Sequence, residues 1–199
     1  MPVYRPPYPA SKARYLRMVQ FIDLWRGHPV NESVAFPCRA SVDAADIGGR
    51  PVQAGEPAYA NQSAISVGVA LRRGGLRVED LGKVTTCAVH DKSEMHILNA
   101  RQLADALRRA KPAGFGAVEI ITGGDVERFH IRLLGRTGVI YIRDYYVRSS
   151  DAQGRLTGDL IDLWNGYRTT ENWLMEWLSW VGYRPPYAQA REIWFWPVS

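Results

Sequence analysis

The sequence predicts an α+β fold. Two observations carry this: amphipathic helical patterns are concentrated in the first half of the chain, and short runs of strand composition dominate the second. A third is the content of the chain, 199 residues with 46% hydrophobic residues and 7 Trp. That is enough apolar material for one packed domain burying about 70% of its unfolded surface. The expected organisation is a single domain spanning residues 1–199, with helices packed on an antiparallel sheet that runs as a meander.

Residues 1–12 read as an extended arm, because Pro2, Pro6, Pro7 and Pro9 exclude a helix. Ser11 is a candidate N-cap for a helix whose apolar face is Tyr15, Leu16, Val19, Ile22 and Trp25, ended by Gly27 and Pro29. Residues 30–60 lack periodicity and carry Pro37, Gly48, Gly49, Pro51, Gly55 and Pro57, so they read as a long loop region. A central helix runs from Asn61, its expected N-cap, to Leu71 and stops at Gly74 and Gly75. Residues 76–84 read as a connector. A second helix covers Ala100 to Arg109 with Leu103, Ala104 and Leu107 inward. Strands are expected at Val118 to Thr122, Phe129 to Leu134, Gly138 to Tyr146, Leu160 to Trp164 and Glu192 to Trp196, and a helix at Asn172 to Trp180.

Composition narrows the function. The formal net charge is +5, mostly from Arg, which suits an anionic partner. The aromatic residues fall at core-like spacings, which argues against a nucleic-acid surface. No apolar run is long enough to span a membrane. The first residues lack the apolar segment of a secretory signal, so action outside the cell would need a one-step export machine. Cys38 and Cys87 are enough for one bridge but not for a disulfide framework.

Chemistry concentrates at two places. Ser63 falls in the first turn of the central helix, where backbone N–H groups and the helix dipole favour negative charge. A Cys there would be an activated nucleophile, whereas a Ser there is commonly only a helix-start residue. The second place is the strand Leu160 to Trp164, entered through Gly158-Asp159 and left through Asn165-Gly166. Alternation puts Leu160, Asp162 and Trp164 on one face and Ile161 and Leu163 on the other. On spacing alone, Asp162 on such a face reads as an edge-strand residue that caps a neighbouring turn.

Gly158-Asp159-Leu160-Ile161-Asp162-Leu163-Trp164-Asn165-Gly166 resembles the closing motif of the fourth family of type VI secretion amidase effectors, which has His in place of Leu160. Asn61-Gln62-Ser63-Ala64-Ile65 resembles the nucleophile helix of that family, which has Cys in place of Ser63. Ahead of that helix, Phe21 to Pro29 with Pro37-Cys38 resembles the family's opening helix and following Pro-Cys, and after it the segment His96 to Ala104, the strand Gly138 to Tyr146 and Ile193 to Trp196 keep the family's order. The resemblance implies a papain-like, NlpC/P60-like fold and a toxin that cuts the D-Glu–diaminopimelate bond of the peptidoglycan stem peptide. It implies neither cofactor nor metal. It implies export by a type VI tube or spike, action in the target periplasm, and a cognate immunity protein as partner. Carried over, the catalytic set falls on Ser63 (nucleophile), Leu160 (base) and Glu171 (orienting acid), with Asn61, Asp162, Trp164 and Asn165 at binding positions.

Two of the three catalytic positions have changed chemistry. A Ser hydroxyl needs a base more than a thiol does, and Leu160 takes no proton. Loss of one member of a nucleophile–base unit costs on the order of 10⁶-fold in rate, so normal amidase activity is not expected. The alternatives are a non-catalytic binding module for peptidoglycan fragments or a protein, a base supplied by His130 from a neighbouring strand, or a carboxylate site built from Asp159 or Asp162 with Asp144 or Glu171.

Overall fold

The computed structural model describes residues 18–31, 36, 38, 46–47, 50–51, 61–148, 156–170 and 186–199. The expected arm at residues 1–12, Ser11 and the expected helix at Asn172 to Trp180 lie outside the described residues. The helices are α1 (Phe21–Gly27), α2 (Ser63–Arg73), α3 (Val78–Leu81), α4 (Ala100–Ala110) and α5 (Phe129–Arg132). The strands are β1 (Asp46–Ile47), β2 (Arg50–Pro51), β3 (Glu119–Thr122), β4 (Gly138–Tyr146), β5 (Gly158–Trp164) and β6 (Glu192–Pro197). The α+β class is as the composition predicts.

The main sheet is antiparallel with strand order β3-β6-β4-β5. It is therefore not a meander: the last strand inserts between β3 and β4. The reason is burial, since Ile193, Trp194, Phe195 and Trp196 are all buried and need a covered face on either side. β1 and β2 form a separate two-stranded pair.

Both faces of the sheet are packed. On one face Val139, Tyr141, Ile161, Leu163, Trp194 and Trp196 join α1, α2 and α4 through Leu24, Val67, Leu71, Leu103 and Leu107. On the other, Ile140, Ile142, Leu160, Trp164, Ile193 and Phe195 meet Phe129, Leu133 and Tyr187. The period-2 alternation of each strand divides its side chains between the two clusters. Near-continuous apolar runs such as Val139 to Ile142 result, because neither face is left to water.

Beyond strand and helix ends displaced by one or two residues, as where β5 starts at Gly158, four local readings differ from expectation. Residues 18–20 are not helical; α1 begins at Phe21, and the Val19 N–H donates to the Ala113 carbonyl at 3.0 Å. The N-cap of α2 is Gln62 rather than Asn61. The connector at 76–84 contains α3, whose N–H at Arg77 is met by the Asp80 carboxylate at 3.0 Å. Phe129 to Leu134 is a helical turn rather than a strand. The preceding 3-10 turn at Gly123–Arg128 leads straight into α5, which buries Phe129 against Trp164 and Tyr187. Phe129 and Leu133 turn inward while Ile131 and Leu134 stay exposed, so these apolar residues satisfy a strand pattern and a one-sided helical turn equally well.

Candidate functional site

The start of α2 lies along the free edge of β5. The Ile161 N–H points off that edge and donates to Ser63 Oγ at 3.4 Å. Asn61 stitches the same place from two sides. Its amide donates to the Asp159 carbonyl at 3.3 Å and to the Tyr146 hydroxyl at 3.2 Å, while its Oδ1 accepts the Ser63 N–H at 3.0 Å. Gln62 completes the anchorage by accepting the Phe36 N–H at 2.9 Å and donating to the Phe36 carbonyl at 2.7 Å. An edge strand needs its outward polar groups satisfied, and here residues 61 and 63 satisfy them.

This geometry decides what Ser63 does. It is buried, and its oxygen accepts a proton donor rather than facing a proton acceptor. Among the described residues, no imidazole is hydrogen-bonded to it. The N–H of a nucleophile at a helix start is the natural donor to an oxyanion, but the Ser63 N–H is already taken by Asn61. Leu160, adjacent to Ile161 along β5, is 2% exposed and belongs to the apolar cluster on the far face of the sheet. Glu171 lies outside the described residues.

The remaining sequence-derived positions divide into separate groups. Asp162 is fully buried, accepts the Thr170 hydroxyl in a short hydrogen bond, and accepts the Leu163 N–H at 2.7 Å. It thereby ties the chain after β5 back to the strand edge, close to the turn-capping reading. Trp164 is buried and donates from Nε1 to the Leu133 carbonyl at 3.0 Å. Asn165 Oδ1 accepts the Tyr167 and Arg168 N–H groups at 3.1 and 3.0 Å, a side-chain turn at the strand's exit. His130 is on α5, not on a strand, and is buried beside Phe129. It offers no base to Ser63 by the route expected from the sequence.

Asp162 also has a histidine beside it. His28 Nε2 lies 3.3 Å from Thr170 Oγ1 and 3.6 Å from Asp162 Oδ1, and His28 Nδ1 accepts the Val30 N–H at 3.2 Å. That last bond fixes a neutral ring with its proton on Nε2. Burial, then the nearby Arg73 guanidinium, push the His28 pKa down to about 4. The unfolded chain binds this proton below about pH 6.5, whereas the folded chain resists it until about pH 4. Stability from His28 is thus fully present above pH 6.5 and falls as pH drops. Between pH 7 and 4.5 the expected loss is about 2 kcal/mol. Urea denaturation at the two pH values checks it, with His28→Gln expected to flatten the dependence.

A second group contains the Asp144 and Asp159 carboxylates expected from the sequence, and its centre, Arg101, was not anticipated. Arg101, in the first turn of α4, donates from Nε to Asp159 Oδ2 at 3.1 Å and from Nη2 to Asp144 Oδ1 at 2.7 Å. The Asp144 N–H donates to Asp159 Oδ1 at 2.9 Å. Asp144 has φ 52°, and the β4–β5 register shifts between Ile142 and Tyr146, so a bulge turns this residue out of the ladder. Asp144 and Asp159 therefore meet, as a carboxylate pairing requires. Both are bound to one guanidinium, which does not suit an acid–base pair. Asp162, on the opposite strand face, is not part of the group. These residues line an open cleft of about 650 Å³ that also presents Arg143, Arg148 and Arg191. The only signals in sequence were the Gly-Asp turn before β5 and an Arg just inside a helix start.

A helix start set against the edge of a four-stranded antiparallel sheet, flanked by a charged cleft, defines an α+β domain. Residues 59–196 match the family described as type VI secretion system (T6SS), amidase effector protein 4. The chain belongs to this family of antibacterial effectors. No curated protein matches it significantly. Among the described residues, no helix is long and apolar enough to cross a membrane.

Proposed function

We infer that the chain is a type VI effector whose amidase centre has been disarmed and whose cleft holds the peptidoglycan stem peptide without hydrolysing it. The observation carrying this reading is the surroundings of Ser63: a backbone N–H donates to its Oγ, and Leu160 occupies the base position with a buried apolar side chain. A Ser in this setting has no route for its proton.

The cleft supports the substrate class. Four guanidinium groups, from Arg101, Arg143, Arg148 and Arg191, line it with two carboxylates, Asp144 and Asp159, and Glu192 neutralises Arg143 at 2.6 Å, so one positive charge is left in excess. Such an excess attracts a peptide rich in carboxylates, as the stem peptide is. The bond presented would be the D-Glu–diaminopimelate bond, in the target periplasm, with an immunity protein and the secretion tube or spike as further partners. The domain would comprise the whole chain, with a papain-like arrangement of helix and sheet.

Muropeptide release from purified peptidoglycan and calorimetric binding of isolated stem peptide test this together. The expected result is saturable, salt-sensitive binding with no new soluble fragments. Release of cleaved muropeptides by the chain as it stands would overturn the disarmed reading. Absence of binding would leave the family resemblance with the fold alone.

A further inference from the structure

We propose that Cys38, Cys87, His90 and His96 form a structural zinc site that clamps Phe36 and Cys38 to the start of α2. Both cysteines of the chain and two of its four histidines meet here: Cys87, His90 and His96 come from one stretch, and Cys38 joins them from far upstream. Cys38 Sγ lies 3.3 Å from His96 Nδ1 and 3.6 Å from His90 Nδ1, and Cys87 Sγ lies 3.2 Å from His90 Nδ1. The ligand atoms of Cys38, His90 and His96 all fall within 4.8 Å of one another. A tetrahedral zinc with its usual bond lengths sets sulfur and nitrogen ligands about 3.6 Å apart. All three sulfur–nitrogen distances are close to that value, and two thiolates with two imidazoles is a donor set that selects zinc.

The surroundings are built for ligation. Cys87-Ala88-Val89-His90 is a tight turn in which the Val89 N–H donates to Cys87 Sγ at 3.4 Å, a bond that favours thiolate. The Cys87 N–H donates to the His96 carbonyl at 2.8 Å, and Thr86 and Ile97 form a bridge, so residues 85–87 and 96–98 are held side by side. Met95 turns the chain with φ 56° and delivers His96. His96 faces the cluster with Nδ1, while its Nε2 lies 3.7 Å from the Glu94 carboxylate. A ligating imidazole whose second nitrogen meets a carboxylate is the usual outer-shell arrangement.

The position says what the metal would do. Cys38 and Cys87 are buried around Ile65, two residues beyond Ser63, with Phe36 and Leu98 packed against them. Cys38, His90 and His96 form the core of the site and Cys87 joins it through His90 at 3.2 Å; with Cys87 as fourth ligand no position stays open, and the role is structural rather than catalytic. Neither cysteine is in a disulfide. Cys38 also lies outside the residues matched to the effector family.

The test uses the full chain, stripped with a chelator under reducing conditions and titrated with cobalt(II), then zinc(II). One equivalent of cobalt is expected to give the thiolate charge-transfer and tetrahedral ligand-field bands, and one equivalent of zinc to bleach them. Both thiols should resist Ellman's reagent with zinc bound and react after stripping. Cys87→Ser should lower the charge-transfer band by about half, because the Cys38 thiolate remains, and Glu94→Gln should weaken zinc binding roughly 10-fold with the bands unchanged. If stripping unfolds the chain and zinc refolds it, the proposal stands. A folded, stripped chain that gives no thiolate-to-cobalt band, or thiols that react equally with and without zinc, would overturn it.

Discussion

A chain carrying Ser63→Cys together with Leu160→His is expected to release muropeptides roughly 10³-fold faster than the chain as it stands, with each single variant near background. The reason is the coupling of nucleophile and base. A thiol at residue 63 gains from the N-terminus of α2, where the helix dipole lowers its pKa. Without a base nearby, though, it has no partner to hold it as thiolate or to protonate the leaving amine. An imidazole at residue 160 sits one residue from Ile161, whose N–H already reaches Ser63 Oγ at 3.4 Å. Leu160 points to the far face of the sheet, so an imidazole there has to turn around the free edge of β5 to meet residue 63. Two costs oppose the gain. Sulfur accepts the Ile161 N–H less well than oxygen does, which costs about 1 kcal/mol. An imidazole entering the apolar cluster around Leu160 costs about 2 kcal/mol more. Thermal melts of all four proteins therefore accompany the assay. If Ser63→Cys alone equals the double variant, another group serves as base and the role given to Leu160 is wrong.

The sheet was legible because its strands carry a local signal. Gly138 to Tyr146 was bounded correctly from its strand composition and flanking turn, and it forms β4 with those limits. The order of the strands was not legible. It depends on which run needs two covered faces, and the answer, β6, comes from the packing of the whole domain. Phe129 to Leu134 failed for a different reason: six residues rich in Phe, Ile and Leu fit a strand or a one-sided helical turn, and only the neighbouring 3-10 segment decides. The position of Ser63 followed from a helix-start pattern. Its partner did not, because the Ile161 N–H is backbone and leaves no trace in side-chain identity. The Cys38 cluster was hidden by sequence distance, since Cys38 lies 49 positions before Cys87 (87 − 38) and no short ligand spacing links them. The Arg101–Asp159 pair was hidden in the same way.

Gly68→Ala is expected to cost about 3 kcal/mol of stability, although alanine is the better helix former. Gly68 is in the middle of α2, and a Cβ added there would stand 2.1 Å from the Met95 carbonyl oxygen and 3.6 Å from Ile97 Cδ1. The first of these is backbone, and that backbone is fixed: Met95 is fully buried in a left-handed turn, and its carbonyl accepts the Ile97 N–H at 2.8 Å. Helix and loop would have to separate by about 1 Å to restore contact distance. Gly124→Ala is the control, since nothing lies within 4 Å of a Cβ there, and its effect should stay within about 1 kcal/mol of zero. Urea denaturation of the three proteins checks the difference. The substitution also bears on the site. Met95 precedes His96, and α2 carries Ser63 and Ile65, so forcing the two segments apart pulls His96 from Cys38 and loosens the helix start that the cluster clamps. Zinc affinity should therefore fall together with stability in Gly68→Ala and in neither respect in Gly124→Ala. A Gly68→Ala chain as stable as the parent would mean that α2 and the 92–97 segment are not in the close contact on which the clamp depends.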